Sequence, residues 1–310
     1  MDAVSSGSPD WSIRFLVRTI KILSTLGVTA VGTLALVLYF AQSSLIYPSS
    51  FPAGSRTEVQ TPDRYDIPFE DVTLDTPDDE KIKLFVMKQG GAAAQEDLSV
   101  RGNTVIMCCA NAGNMGHRLP IASAFYKILQ YNVILFSYRG YGLSTGTPSE
   151  RGLKIDAETV LAHVQSDPVL KHTNIVLYGQ SLGGAVAIYL AEKHEHEVAG
   201  MILENTFRSI PLLVPSVLPL ARYFTFLCHQ IWPSEATLAK ITSIPVLFLS
   251  GDKDEIVPQT HMRSLYESCK SPHKIWRQFA NGTHNDTYAK DGYWTAIIDF
   301  TTDFIDKKKQ

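Results

Sequence analysis

The stretch "NIVLYGQSLGGAVAIYLA", Asn174 to Ala191, hands a run of branched apolar residues directly to an alanine-rich, helix-like run. Three of the six residues at the junction are glycines, Gly179, Gly183 and Gly184. Glycine costs conformational entropy wherever its freedom is not used, so this density asks for a backbone reason. A serine on a sharp strand-to-helix turn supplies one. The residues two before and two after it crowd the neighbouring strand and helix, where a side chain would clash. Gly179-Gln180-Ser181-Leu182-Gly183 matches G-x-S-x-G in the context that motif requires. Ser181 is then expected above the C-terminal edge of a sheet, at a helix N-terminus whose dipole favours developing negative charge.

Outward from this turn, short continuous apolar runs alternate with helical patterns. "NTVIMCC", "NVILFSY", "VAGMILE" and "IPVLFLSG" read as strands buried on both faces, and "PIASAFYKILQ" and "RGLKIDAETVLAHVQ" as helices between them. The pattern predicts a mostly parallel sheet covered by helices. "FEDVTLDT" and "KIKLFVM" form a hairpin-like pair before it, and "GGAAAQEDLSVRG" is a loose surface loop. Residues 208–241 break the rhythm with several prolines and many large apolar side chains, which suits a lid over a pocket better than one crossover helix.

The N-terminus differs in kind. No charged residue occurs between Lys21 and Arg56, and residues 22–41 are long and apolar enough to cross a bilayer. Arg14, Arg18 and Lys21 precede this run and only Arg56 and Arg64 follow closely, so the positive-inside bias puts residues 1–21 in the cytosol. The expected topology is single-pass type II, in the endoplasmic reticulum or plasma membrane. Residues 42–68, rich in proline, serine and glycine, read as a linker or an extended wrap before a compact domain spanning 69–310. The near-neutral formal charge of -3 carries no nucleic-acid footprint. The four cysteines show no disulfide spacing, and Cys108 and Cys109 suit a core strand.

A serine nucleophile needs a base oriented by an acid. In the order Ser, Asp/Glu, His, the acid follows the next-to-last strand, where "SGDKDEIVP" offers Asp252, Asp254 and Glu255. The histidine follows the last strand, and among nine histidines only His284 is so placed. An oxyanion hole would take the backbone N–H of Leu182 and one from the loop "ANAGNMGHR", with Asn111 the provider. No metal-ligand spacing or cofactor motif is present, so none is implied.

Taken together, "NAGNMGHR", "FSYRGYGLSTGTPSERGLKIDAE", "LYGQSLGGAVA", "LENTF", "HQIWPSE", "SGDKDEIVP" and "NGTHNDT" resemble the α/β-hydrolase superfamily, and within it the membrane-anchored Bem46-like group. The resemblance runs from Phe69 to the C-terminus. It implies an α/β-hydrolase fold with a short lid behind one transmembrane helix, and it matches Ser181 to the nucleophile, Asp254 to the acid and His284 to the base. The group's "HGNAGN" departs here to "CANAGN", with Cys109 and Ala110 in place of histidine and glycine. The implied chemistry is hydrolysis of carboxylic esters or thioesters of acyl substrates. A peptidase and a non-catalytic membrane scaffold for cell polarity are the alternatives. Asn281 in "NGT" and Asn285 in "NDT" are glycosylation acceptors flanking His284, and both are expected to stay unmodified.

Overall fold

The structure is a computed structural model that describes residues 10–90 and 102–306. The loop expected within residues 90–102 and the C-terminal lysine run lie mainly outside the described residues, as do the first nine residues of the expected cytosolic tail.

Eight strands form one sheet in the order β1-β2-β4-β3-β5-β6-β7-β8. Strands β1 (Glu70–Asp75) and β2 (Lys81–Met87) are the expected hairpin, and β2 also runs antiparallel to β4. The remaining pairs, among β3 (Asn103–Cys108), β4 (Asn132–Ser137), β5 (Asn174–Gln180), β6 (Val198–Glu204), β7 (Val246–Gly251) and β8 (Lys274–Phe279), are parallel. Every residue of β3, β4 and β7 is buried, which is why these strands read as unbroken apolar runs rather than as alternations. Helices α2 (Leu119–Lys127), α3 (Glu150–Ser166), α4 (Leu182–Lys193), α7 (Gln259–Ser268) and α8 (Tyr293–Phe304) complete the flanking layers. Helix α4 buries nine of its residues, and its alanines let it approach the sheet closely.

The N-terminal helix α1, Asp10–Ile46, is 37 residues long and extends beyond the expected 22–41 at both ends. At about 1.5 Å per residue it measures about 55 Å, well beyond the ~30 Å hydrocarbon thickness of a bilayer. It is long and apolar enough to cross a membrane, and its hydrophobic window is not buried by the rest of the chain. Of the expected 42–68 segment, residues 42–46 belong to α1, and residues 47–68 lie against the domain. The Tyr47 hydroxyl is buried between Gln230 Oε1 and Trp232 Nε1, each 2.9 Å away. Asn114 Nδ2 donates to the carbonyls of Ser55 and Glu58, and Gly113 N donates to Phe51 O. Tyr47 and Ile67 are buried in the core, so the segment is held by side-chain burial as well as through its backbone carbonyls.

Residues 208–241 form α5 (Ile210–Val217), a 3-10 helix (Pro219–Leu227) and α6 (Ser234–Leu238). Pro219 stands where α5 gives way to the 3-10 helix, as proline lacks the amide donor and crowds the preceding turn, whereas Pro215 is accommodated inside α5.

The junction of β5 and α4 shows why its glycines are there. A Cβ on Gly183 would sit 1.9 Å from the carbonyl oxygen of Cys108 at the end of β3. One on Gly179 would sit 2.3 Å from Gly183 O. Strand end, turn and helix start are thus in backbone contact. Gly183→Ala is expected to destabilise the protein by about 1–3 kcal/mol through overpacking, read as a lowered denaturant midpoint in detergent solution. An unchanged midpoint would contradict the contact.

Candidate active site

Ser181 caps α4 in a left-handed backbone conformation, with φ of 54° and ψ of −120°. Such a conformation costs a non-glycine residue of order 1–3 kcal/mol and survives only where its surroundings impose it. They do so through three bonds. Ser181 N donates to Glu204 O at 2.9 Å, while Ser181 O accepts from Gly184 N at 2.9 Å and from Thr206 Oγ1 at 2.6 Å. Leu182 is the first residue of α4, where the N–H has no intrahelical acceptor and is free for a ligand.

The expected acid and base are brought together. His284, in the loop after β8, places Nδ1 2.8 Å from Asp254 Oδ2 and 3.0 Å from Oδ1. Both side chains are almost fully buried. Asp254 Oδ1 also accepts from Ile256 N and Val257 N, which fixes the carboxylate in its turn. With Nδ1 engaged, Nε2 remains the nitrogen available to a substrate or nucleophile. Asp252 is used differently: its Oδ1 accepts from Asn281 N at 2.7 Å and braces the histidine loop from outside. Glu255, the third acidic residue of that turn, accepts from His284 N at 3.2 Å.

Asn111 lies beside Ser181 and Leu182 on the wall of one cavity. Its carbonyl accepts from Tyr141 Oη at 2.9 Å and its Nδ2 donates to Ile46 O at 3.2 Å, so the loop is pinned from both sides. The cavity encloses about 440 Å³ and is walled mainly by apolar side chains, among them Phe207, Leu213, Val214 and Phe224. Cys108 and Cys109 are buried free thiols, and burial pushes both well up from the ordinary cysteine range. They fill space behind the loop. Among the described residues no group of histidine, cysteine and acidic side chains is arranged to hold a metal.

A polar hub beneath Ser181 escaped the sequence reading. Glu204, at the end of β6, is fully buried and accepts from Tyr178 Oη and Tyr293 Oη at 2.5 Å each and from Gln180 Nε2 at 3.2 Å. Burial pushes its carboxyl up from the ordinary range, against the opposing pull of the two tyrosine hydroxyls. Asn205 follows with φ of 45°. Its Nδ2 donates to Thr287 Oγ1 at 3.0 Å and reaches the carbonyls of Thr283 and His284, while its Oδ1 accepts from Gly251 N. Gln180, the neighbour of Ser181, also donates to His284 O at 3.2 Å. The ends of β5, β6, β7 and β8 are thereby tied to one another around the serine and the histidine. The available signal was a glutamate closing the otherwise apolar run "VAGMILE".

Comparisons with known proteins identify the fold and the family. Residues 103–230 match a family described as having the alpha/beta hydrolase fold. "Protein bem46" of Schizosaccharomyces pombe is 46% identical over 264 residues, covering 85% of this chain and 86% of that protein. The chain belongs to the Bem46-like group of the α/β-hydrolase family. Another relative, "Uncharacterized membrane protein YNL320W" of Saccharomyces cerevisiae, is 45% identical over 276 residues, 88% of this chain and 94% of its own length. Among solved structures, an esterase of Pyrococcus furiosus, Pf2001, superposes with a TM-score of 0.66 at 17% identity, covering 80% of this chain and 96% of the esterase. At that identity it shows the fold. In this Bem46-like chain the two aspartates of the β7 turn are chemically distinct. Asp254→Asn is expected to lower kcat on a short ester by about 10⁴-fold, through loss of the histidine tautomer and of imidazolium stabilisation. Asp252→Asn, which loses one loop contact, is expected to cost at most about tenfold. Equal effects would mean that Asp254 is not the orienting acid.

Proposed function

We propose that the protein is a membrane-anchored serine hydrolase that cleaves carboxylic esters or thioesters of acyl substrates through an acyl-enzyme. The observation that carries this reading is the strained Ser181 turn, set beside an apolar cavity and tied through Gln180 to a loop that holds His284 against Asp254. In the proposed reaction Ser181 Oγ attacks the acyl carbonyl as His284 Nε2 takes its proton, and Asp254 stabilises the imidazolium through Nδ1. The N–H groups of Leu182 and Asn111 would receive the oxyanion, each worth about 2.7–4 kcal/mol of transition-state stabilisation. His284 then protonates the leaving alkoxide or thiolate. Water, deprotonated by His284, attacks the acyl-serine and releases the carboxylic acid with Ser181 restored. Apolar walls favour an acyl chain over a peptide, whose amides would need polar partners.

A fluorophosphonate probe is expected to label the full-length protein and to leave Ser181→Ala unlabelled, with the variant's unfolding midpoint unchanged. Labelling of Ser181→Ala at the parental level would remove the assignment.

The same reading places α1 across the membrane with its basic N-terminal end in the cytosol and the domain on the lumenal or exoplasmic side, in the endoplasmic reticulum or plasma membrane. Asn281 and Asn285 are both exposed, so burial does not shield them. Their sequons are nevertheless built into the site. Asn281 has φ of 57° and its N–H is held by Asp252, and Thr287 is buried with its hydroxyl bonded to Asn205 and Thr283. A glycan on either residue would stand on the rim of the histidine loop. Protease protection of the domain in sealed microsomes, with no endoglycosidase mobility shift in active enzyme, is the expected outcome. Digestion without permeabilisation would overturn the topology, and a glycan at either residue in active enzyme would overturn the steric argument.

A further inference from the structure

The cavity that holds Ser181 is walled partly by the N-terminal helix. Leu38, Gln42, Leu45 and Ile46 recur at helical spacing and present one stripe of α1 to it. Gln42 latches that stripe to the lid: its Nε2 donates to Leu227 O at 2.8 Å and its Oε1 accepts from His229 N at 2.9 Å. Tyr39 O pairs with His229 Nε2 at 3.1 Å, and Asn111 Nδ2 reaches Ile46 O. The last two turns of α1 are therefore a fixed part of the pocket.

The outer side of this assembly is unusually apolar. On the lid Leu220 is 82%, Tyr223 63% and Phe226 78% exposed, and on the adjoining end of α1 Phe40 is 78% exposed. Between Ser209 and Pro233 the only lysine, arginine or acidic residue is Arg222, whose guanidinium lies 4.7 Å from the Tyr223 ring centre. Apolar patches of this kind mark contact with a protein or a membrane. Helix α1 decides between them, because the patch continues the surface of the element that is long and apolar enough to cross the bilayer. An arginine paired with a tyrosine is also the composition that anchors at the membrane–water boundary.

We propose that the lid's outer face sits in the bilayer surface beside α1, and that the substrate is a bilayer-resident ester or thioester with a single long acyl chain. The chain enters the cavity from the bilayer side and lies there with its carbonyl at Ser181. A volume of about 440 Å³ lies toward the lower end of the ~300–1,000 Å³ typical of ligand pockets, which suits one chain. The choice of substrate rests on the serine-hydrolase reading, whereas the docking rests on the lid and α1 alone.

The test uses the full-length protein in phosphatidylcholine vesicles. In Phe226→Trp, acyl-chain-brominated phosphatidylcholine is expected to quench the added indole beyond the quenching of the parent's own tryptophans. In a Leu220→Asp, Phe226→Asp double variant, hydrolysis of water-soluble p-nitrophenyl acetate is expected to stay within about twofold of the parent, since neither side chain lines the cavity. Hydrolysis of p-nitrophenyl palmitate held in the vesicles is expected to fall at least about tenfold, because membrane binding scales with buried apolar area. Absence of added quenching overturns the proposal, and so does unchanged palmitate hydrolysis in the double variant. A lid-mediated dimer that protects the added indole from brominated lipid also overturns it. Added quenching in Phe226→Trp, with a parent protein inactive on both esters, would support the docking surface and remove the serine-hydrolase reading instead.

Discussion

Gly183 and the carbonyl of Cys108 stand closer than any side chain would allow, and the arrangement of the site follows from that contact. It presses the first turn of α4 onto the end of β3. The serine at the turn is left in a conformation that three hydrogen bonds must enforce. The same contact sets the free N–H of Leu182 beside the loop that begins at Cys109, and so beside Asn111. A methyl group at position 183 would separate these parts before it altered any side chain that carries chemistry.

The second constraint is electrostatic. The parallel register brings Gln180 opposite Glu204 and Glu204 opposite Leu249, so the C-terminal ends of neighbouring strands arrive at one level. A buried carboxyl there is stable only with donors, and Tyr178, Tyr293 and Gln180 supply them. Asn205 carries the network on to the loops after β7 and β8. The polar groups that hold His284 in place belong to elements far apart in sequence, and each is fully used.

This division explains what could be read from the amino acids. The elbow was legible because its requirements are local: two crowded glycines, a buried strand before them and an alanine-rich helix after them. Most strands were legible as unbroken apolar runs, though not their order in the sheet, and His284 from its position after the last strand. Asp254 could be separated from Asp252 and Glu255 only by resemblance, since all three share one turn and differ in long-range partners. Glu204 and Asn205 lay within "LENTF", one of the stretches behind the resemblance, but their role was not legible, as their partners come from four separate elements. The continuation of α1 to Ile46 was hidden because Gln42 interrupts the apolar run, and Gln42 is the residue that joins the helix to the lid. Residues 47–68 looked like a linker because their buried side chains, such as Tyr47 and Ile67, follow no helix or strand period and their other ties run through carbonyl groups.

The end of α1, the loop carrying Asn111 and residues 208–241 share the wall of the cavity that Ser181 lines, and the proposed chemistry turns on the Ser181 hydroxyl. The most direct test of that claim is to quench the full-length enzyme in acid during turnover of a slowly hydrolysed long-chain ester and to map adducts by peptide mass spectrometry. One acyl group is expected on the peptide containing Ser181, on that serine, with none in Ser181→Ala. Sustained hydrolysis with no adduct, or with the acyl group on another residue, would contradict it.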